Sequence, residues 1–442
     1  MICGRGRQMK PRYLTKSRFK LALECPTKLY YDGKADYANQ KIEDTFLLSL
    51  AEGGFQVGEL AKCYYPGGHD IDTLDYEEAL LQTNQLLQQD QVIIYEAAFR
   101  YKQFFIRADI LVKNHKKIEL IEVKAKSYEP VRDGNFLNKN GSISSKWKPY
   151  LYDVAFQKYV VTQSLPGYDI KAFLMMADIN APCPKDGLNQ MFKIITAPGG
   201  RKRITVSAKL SPADLCDPIL VKFNVDPCCE IIYAEGFADT NGTVSFSDYL
   251  DWLANNYRQD QKISCPPSSL CGGCEFRASA AEKAAGLKSG FEECWQTTLG
   301  WTEQDSHEPT VLELWNFRKK DQCIHERRIK MTDLDEDDLN IKDDDRKGIS
   351  PSQRQWLQIV KVRNNDPTPW IDRHNLARAM ESWVYPLHFI DFETSSVAIP
   401  FNQGRRPYEG IAFQFSHHVV HADGNVEHRG QYLNTAPGIF PN

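Results

Sequence analysis

Two carboxylates and a lysine occupy neighbouring segments that have the pattern of β-strands. Residues 104–127 predict two strands joined by a short polar turn, with Asp109 on the first strand and Glu122 and Lys124 on the second. Side chains alternate between strand faces, so Glu122 and Lys124 point the same way, and a turn near Asn114 would place Asp109 beside Glu122. Such a pair of carboxylates suits Mg²⁺ or Mn²⁺. A metal there lowers the pKa of a bound water, and the lysine can orient that water. The predicted chemistry is therefore hydrolysis of a phosphodiester.

The same three residues also have an ordinary explanation. Charges on a solvated strand face are common, and an Asp followed by a distant Glu-x-Lys arises often by chance. The surrounding run IELIEVK, residues 118–124, is mostly apolar. That composition is typical of a buried strand whose end opens into a cleft, and it favours the metal site.

Five of the twelve cysteines could take part in a second centre. Cys271 and Cys274 are separated by two glycines, and thiolates at this spacing can grip one metal ion or the edge of a cluster. Cys265 and Cys294 flank this pair, and Cys25 lies far upstream, just before a proline. A structural zinc site with four thiolate ligands is one alternative. The other seven are predicted to be ordinary thiols: Cys3, Cys63, Cys183, Cys216, Cys228, Cys229 and Cys323.

A second acidic pair lies near the end of the sequence. Asp391 and Glu393 are two positions apart in HFIDFET, so they share one face of a predicted apolar strand. A predicted hairpin follows, with its turn at Asp423-Gly424. The alternative is a strand that simply exposes two acidic side chains.

The elements that must position these residues mix helices and strands. Helical patterns cover 12–31, 44–63, 77–89, 147–165 and 246–257, strand patterns cover 91–99, 103–113, 117–125 and 170–179, and residues 199–210 predict a basic hairpin. An acidic run at 331–348 predicts a linker or a solvated surface, and strands resume at 385–394. This order predicts a mixed α/β fold.

The bulk composition limits the class of protein. The chain has 442 residues, of which 42% are hydrophobic, so we expect two or three folded domains. A net charge of −4 neither requires nor excludes a nucleic-acid partner. No apolar run approaches the ~18–20 residues that span a bilayer, and the start MICGRGRQMKPRYL lacks an apolar signal region. We therefore expect no membrane partner and a cytoplasmic protein with reduced thiols.

The motifs ADI at 108–110 and EVK at 122–124 resemble those of the PD-(D/E)XK nuclease superfamily. The order helix, three strands, helix and strand is also similar to that of its restriction-endonuclease-like core. Within the superfamily, the chain looks most like RecB-type exonucleases and CRISPR-associated iron–sulfur nucleases. Ala108 stands where these enzymes have the eponymous Pro, and Val161 stands where they usually have a Tyr.

This resemblance implies a role for each motif residue. Asp109 and Glu122 would hold Mg²⁺ or Mn²⁺, with the Val123 carbonyl as a third protein ligand. Lys124 would position the attacking water. Gln157, in FQKYV, matches a Gln that the family carries on the following helix, and it would orient substrate or water.

The cysteine pattern adds to the resemblance. The iron–sulfur nucleases have one Cys upstream of the nuclease core and three downstream, and the cluster clasps the two ends of the domain. The resemblance thus implies a 4Fe–4S cluster held by Cys25, Cys271, Cys274 and Cys294. Its usual downstream spacing is C-x2-C-x5-C, but Ala280 occupies the last of these positions, so Cys265 stays a rival to Cys294.

The strand at Asp391 and Glu393 resembles the first motif of DnaQ-like 3′–5′ exonucleases, which have a ribonuclease-H-like fold. Their D-x-E pair binds the catalytic metals. The likeness covers about the first third of such a domain, so we expect a truncated domain without activity in this chain.

The expected whole is a metal-dependent DNase. Residues 1–300 would form the nuclease domain with its cluster, 301–380 an acidic linker and helical connector, and 381–442 the start of the DnaQ-like domain. DNA, single-stranded or at ends, is the expected substrate, and repair, defence and CRISPR pathways all stay open. The alternatives are a catalytically inactive nucleic-acid-binding module and a zinc-stabilised interaction module.

Overall fold

The computed structural model describes residues 11–42, 45–196, 202–239, 242–341 and 348–435. Its strands are β1 Leu14–Thr15, β2 His69–Asp70, β3 Gln91–Tyr101, β4 Phe104–Asn114, β5 Lys117–Tyr128, β6 Asp169–Asp178, β7 Phe192–Thr196, β8 Lys202–Val206, β9 Leu220–Asn224, β10 Phe237–Asp239, β11 Gly242–Val244, β12 Leu387–Ser395, β13 Ile411–Val420 and β14 Val426–Leu433. Its α-helices are α1 Lys16–Glu24, α2 Lys28–Tyr31, α3 Thr45–Cys63, α4 Tyr76–Leu86, α5 Pro130–Asp133, α6 Lys148–Ser164, α7 Asp226–Ala234, α8 Phe246–Arg258, α9 Ala280–Ala284, α10 Gly290–Leu299, α11 Lys320–His325, α12 Glu336–Leu339, α13 Pro351–Arg363 and α14 Arg373–Glu381.

A mixed seven-stranded sheet forms the centre of the fold. Its order is β2-β3-β4-β5-β6-β9, and β1 pairs with β4. The pairs β3–β4, β4–β5 and β6–β9 are antiparallel, whereas β5–β6, β2–β3 and β1–β4 are parallel. The predicted mixed α/β fold is therefore confirmed at this level.

Helices cover both faces of this sheet. On one face, α1, α6 and α8 contribute to a large core that includes Phe19, Phe156 and Leu253. On the other face, a second core joins α3 to the sheet through residues such as Leu60 and Ile121. The apolar residues of β3, β4 and β5 are buried from both sides, which explains their nearly continuous hydrophobic pattern.

A third core lies after the sheet. Trp295 of α10 packs there with Val311, Leu314 and Ile359. The acidic run is not uniformly exposed, because its apolar members Met331, Leu334 and Leu339 are buried in this core. Residues 342–347 of that run lie outside the described residues.

The last described segment forms a separate three-stranded antiparallel sheet in the order β12-β13-β14. The loop 396–409 between β12 and β13 reaches back to the second core. Ile399 is 1% exposed in the second core, the Cys183 amide donates to the Arg405 carbonyl at 2.7 Å, and the Gly187 amide donates to the Phe401 carbonyl at 2.7 Å. This loop therefore anchors the three-stranded sheet to the central one.

Most predicted elements are present, and some need correction. The helix predicted over 12–31 is divided into the strand β1 and two helices, α1 and α2. The basic hairpin predicted within 199–210 is wrong in extent. Its second strand is β8, but β8 pairs with β7, which begins at Phe192. Cys3, predicted to be an ordinary thiol, lies outside the described residues, as does the connection between β7 and β8. Among the described helices, none is long and apolar enough to cross a membrane.

Candidate active site and cysteine centre

The carboxylates lie where two strands of the central sheet separate. β4 and β5 pair from Asn114–Lys117 to Ile110–Ile121, around a tight turn in which His115 has φ +53°. Beyond Ile110 the ladder stops, and the Val123 amide donates instead to Oδ2 of Asp109 at 2.8 Å. The predicted turn position is thus confirmed.

The strand β1 takes the place that β5 leaves beside β4. Leu14 and Thr15 pair in parallel with Phe104 and Phe105 at the far end of β4. The Thr15 side chain then caps α1, so the first residue of that helix, Lys16, follows the sheet directly. This local geometry brings the start of the chain to the carboxylates.

Lys16 contacts both predicted metal ligands. Its Nζ lies 3.1 Å from Oδ1 of Asp109 and 3.2 Å from each carboxylate oxygen of Glu122. The Asp109 side chain is 23% exposed and that of Glu122 only 1%. Because one ammonium group touches both, the two carboxylates face the same space.

The helix α6 supplies the other side of the site. Its residues Asp153 and Gln157 are four positions apart, share one face and are both buried. Gln157 donates from Nε2 to Glu122 at 2.8 Å and to Asp153 at 2.9 Å. Lys124 forms ion pairs with Glu122 and, at 3.0 Å, with Asp153. Asp109, Glu122, Lys124 and Gln157 therefore lie together in the structure.

Burial and charge act differently on the two carboxylates. Burial and the charge of Glu122 raise the pKa of Asp109 to about 7, against the opposing effects of Lys16 and Lys124. Burial would also raise the pKa of Glu122, but the charges of Lys124 and Lys16 hold it well below its usual range. The site therefore keeps Glu122 ionised and makes Asp109 ready to exchange a proton near neutral pH.

Glu96 adds a fourth acidic side chain, on the neighbouring strand β3. The β3–β4 register runs from Tyr95–Ile110 to Ala97–Ala108, which sets Glu96 opposite Asp109. Glu96 interrupts that ladder with φ +57°. Its charge helps to raise the pKa of Asp109 and of Lys16.

The five candidate cysteines form a second neighbourhood. The thiols of Cys25 and Cys265 hydrogen-bond to each other, which lowers the pKa of Cys25. Burial raises the pKa of Cys294 and of Cys274. Cys25 and Cys271 add to the rise at Cys294, and Cys271 adds to it at Cys274. Cys25 thus neighbours both rivals for the fourth ligand, Cys265 and Cys294.

Contacts between distant segments hold this neighbourhood together. Thr27 donates to the Ile263 carbonyl at 2.6 Å and accepts from the Cys265 amide at 3.2 Å. Cys294 Sγ lies 3.4 Å from the Tyr31 hydroxyl. Gly290 allows α10 to approach, since a Cβ there would lie 3.0 Å from the Tyr31 ring. The chain around Cys25 is therefore packed against 263–294.

The acidic pair near the end of the sequence is in a different environment. Asp391 and Glu393 lie on β12, opposite Ser416 and Gln414, and both are exposed. They share one face of the strand, as predicted. No described His, Cys, Asp or Glu completes a metal-binding group with them.

The donor types of the two centres suit different metals. Two carboxylates favour Mg²⁺ or Mn²⁺, and thiolates favour zinc or an iron–sulfur cluster. The Oε1 atom of Gln157 is buried without a hydrogen-bond partner in the described part of the chain, so it can accept from a water. Across 11–42, 45–196, 202–239, 242–341 and 348–435, no three His, Cys, Asp or Glu side chains are arranged to hold a metal ion. The carboxylates can hold a metal once Lys16 moves away from them.

The sequence reasoning missed two residues of the active-site cluster, Lys16 and Asp153. The spacing of Asp153 could have identified it, because it precedes Gln157 by one helical turn and therefore lies on the same face of α6. Lys16 offered no such spacing, since its contacts span 93 and 106 positions.

Comparison with known proteins gives one family match. Residues 388–442 are similar to a family described as Domain of unknown function (DUF2779). No curated protein and no solved structure matches the chain.

Proposed function

We propose that this chain is a metal-dependent nuclease that hydrolyses DNA phosphodiester bonds, acting as an exonuclease on single-stranded ends. The supporting observation is the convergence of Asp109, Glu122, Lys124 and Gln157 at the point where β4 and β5 separate. In this proposal the central sheet and its helices are a PD-(D/E)XK core, and the three-stranded sheet is a partial ribonuclease-H-like segment.

Asp109, Glu122 and the Val123 carbonyl would hold Mg²⁺ or Mn²⁺. The ion, when bound, lowers the pKa of a water and neutralises charge on the phosphodiester. Lys124 is fixed between Glu122 and Asp153, so its ammonium can stabilise the charge that develops on the phosphate and orient the attacking water. The unpartnered Oε1 of Gln157 would accept a hydrogen bond from that water and so orient it, while its Nε2 restrains Glu122.

The cysteine centre has a structural role in this proposal. Cys25, Cys271, Cys274 and Cys294 would hold a 4Fe–4S cluster that fastens α1 and α2 to the segment 263–294. Zinc bound by thiolates would stabilise the same contacts. Asp391 and Glu393 are assigned no catalytic role here, because they are exposed and form no metal-binding group with described residues.

One observation favours a second function. Lys16 pairs with both carboxylates, as expected if these charges stabilise the fold and the chain binds nucleic acid without cleaving it. Cleavage assays separate the two functions.

The test uses labelled single- and double-stranded DNA and RNA, with Mn²⁺ or with EDTA. We expect Mn²⁺-dependent cleavage of DNA by the unaltered chain and a loss of about a hundredfold or more in Asp109→Ala and Lys124→Ala. Glu59→Gln is the matched control, because Glu59 is an acidic residue that pairs with Lys62 on α3. Cleavage by Asp109→Ala at the parent rate would place the active site elsewhere. Binding of DNA without cleavage by the parent chain would support the binding module.

A further inference from the structure

Lys16 occupies the space that a metal ion would need. Its Nζ is within 3.2 Å of three carboxylate oxygens, one from Asp109 and two from Glu122. Glu122 is buried, so its oxygens have little access to solvent. If both carboxylates bind a divalent ion, the Lys16 ammonium cannot stay in this position. The ion and the ammonium are both positively charged and repel strongly at such short distances.

The other lysine of the site is held differently. Lys124 pairs with Glu122 and with Asp153, and neither contact involves Asp109. Among described residues, the Lys16 ammonium is the cation that forms an ion pair with Asp109. Removal of Lys16 would therefore leave Lys124 in place but open the space between the two carboxylates.

Lys16 also has a route out of the site. It is the first residue of α1, its side chain is 26% exposed, and its Nζ contacts within the described chain are to these two carboxylates. A lysine side chain has many accessible rotamers and is strongly hydrated when it reaches water. The ammonium can therefore leave without movement of the helix backbone.

We propose that Lys16 is a displaceable counter-ion, which holds Asp109 and Glu122 in the metal-free protein and must leave when a divalent ion binds. This inference rests on the proposed function, since it requires the carboxylates to be a metal site. Lys16 is a positioning residue that sets the metal concentration at which the site fills. Metal binding then frees a cation at the mouth of the site, where a phosphate would approach.

The test measures Mn²⁺ binding directly, by the electron paramagnetic resonance signal of free Mn²⁺, at about pH 8.5 so that carboxylates are ionised. The variants are Lys16→Met, Lys16→Arg and Lys20→Met in the full chain. Lys20 is the matched control, because it lies one turn further along α1 and influences Asp153 and Glu122 only through its charge. Asp109→Ala identifies Mn²⁺ that is bound at the carboxylates.

We expect Lys16→Met to lower the Kd for Mn²⁺ at least tenfold, and Lys16→Arg and Lys20→Met to stay within about threefold of the parent chain. Lys16→Met should also have a lower melting temperature without metal and a larger increase in it on adding Mn²⁺. That second measurement shows that the variant folds.

An unchanged or weaker Mn²⁺ affinity in Lys16→Met, with binding still lost in Asp109→Ala, would overturn the counter-ion role and leave the metal site intact. Equal tightening in Lys20→Met would also overturn it, because general electrostatics would then explain the effect. Mn²⁺ binding that does not depend on Asp109 would instead refute the proposed function, and this inference with it.

Discussion

Replacement of Asp109 by Asn should stabilise the metal-free protein against unfolding. The stabilisation should appear at neutral and basic pH and be absent at acidic pH. Burial and Glu122 raise the pKa of Asp109 from the usual 3.8 to about 7. Between about pH 4 and 7, the folded protein keeps a proton that the unfolded chain releases, so stability falls as the pH rises through this window. Asn mimics the protonated carboxyl and removes this loss.

The size of the effect follows from the size of the shift. About three pKa units correspond to about 4 kcal/mol. The Asp109 side chain is still 23% exposed, so solvent screens part of this energy, and we expect about 2–3 kcal/mol. In a folded unit of about 150–250 residues, each kcal/mol of stability changes the melting temperature by about 2–4 °C. At pH 8, Asp109→Asn should therefore melt about 4–12 °C above the parent chain.

Thermal unfolding in EDTA, followed by circular dichroism and tryptophan fluorescence at about pH 4, 6 and 8, measures this difference. The two proteins should melt together near pH 4 and diverge as the pH rises. Asp423→Asn, in the exposed turn before β14, is the control and should show no such divergence. A difference that is constant with pH, or a variant that melts lower at pH 8, would refute the electrostatic reasoning.

Two further predictions concern the cysteine centre and the loop anchor. Cys271→Ser and Cys274→Ser should remove absorbance near ~400 nm from anaerobically purified protein. Cys216→Ser, at an exposed cysteine, should retain it, and colourless parent protein with bound zinc would decide for the zinc alternative. Ile399→Ala should destabilise the protein by about 2–4 kcal/mol and speed proteolysis within 396–409, because Ile399 is 1% exposed in the second core. Ile390→Ala, at a residue 52% exposed, should change stability by less than about 0.5 kcal/mol, and equal effects of the two would contradict the anchoring role.

The pairing of the two carboxylates was predictable because it depends on short-range geometry. A tight turn after Asn114 and the alternation of side chains on β5 are enough to bring Glu122 to the level of Asp109. Gln157 was found through the family resemblance, and its one-turn spacing from Asp153 could have added that residue. These positions depend on contacts between neighbouring elements.

The counter-ion Lys16 could not be predicted in the same way. It reaches the site because the two-residue strand β1 pairs with β4, and a strand of that length leaves no periodic pattern. The burial of Met331, Leu334 and Leu339 in the third core was hidden for a related reason. Three apolar residues scattered through an acidic run resemble a solvated linker until their partners in α10 and α13 are known.

The helix α1 ends in the cysteine neighbourhood and begins at the carboxylates, and its two ends find their partners at different times during translation. Lys16 contacts Glu122, which lies 106 positions further along the chain. Tyr31, in the helix α2 that follows, contacts Cys294, which lies 263 positions further along. At about 5–20 residues per second, a ribosome needs on the order of ten seconds to add the difference. A nascent chain therefore passes through a stage in which Lys16, Asp109 and Glu122 have all been synthesised, while the segment that packs beyond the end of α1 has not.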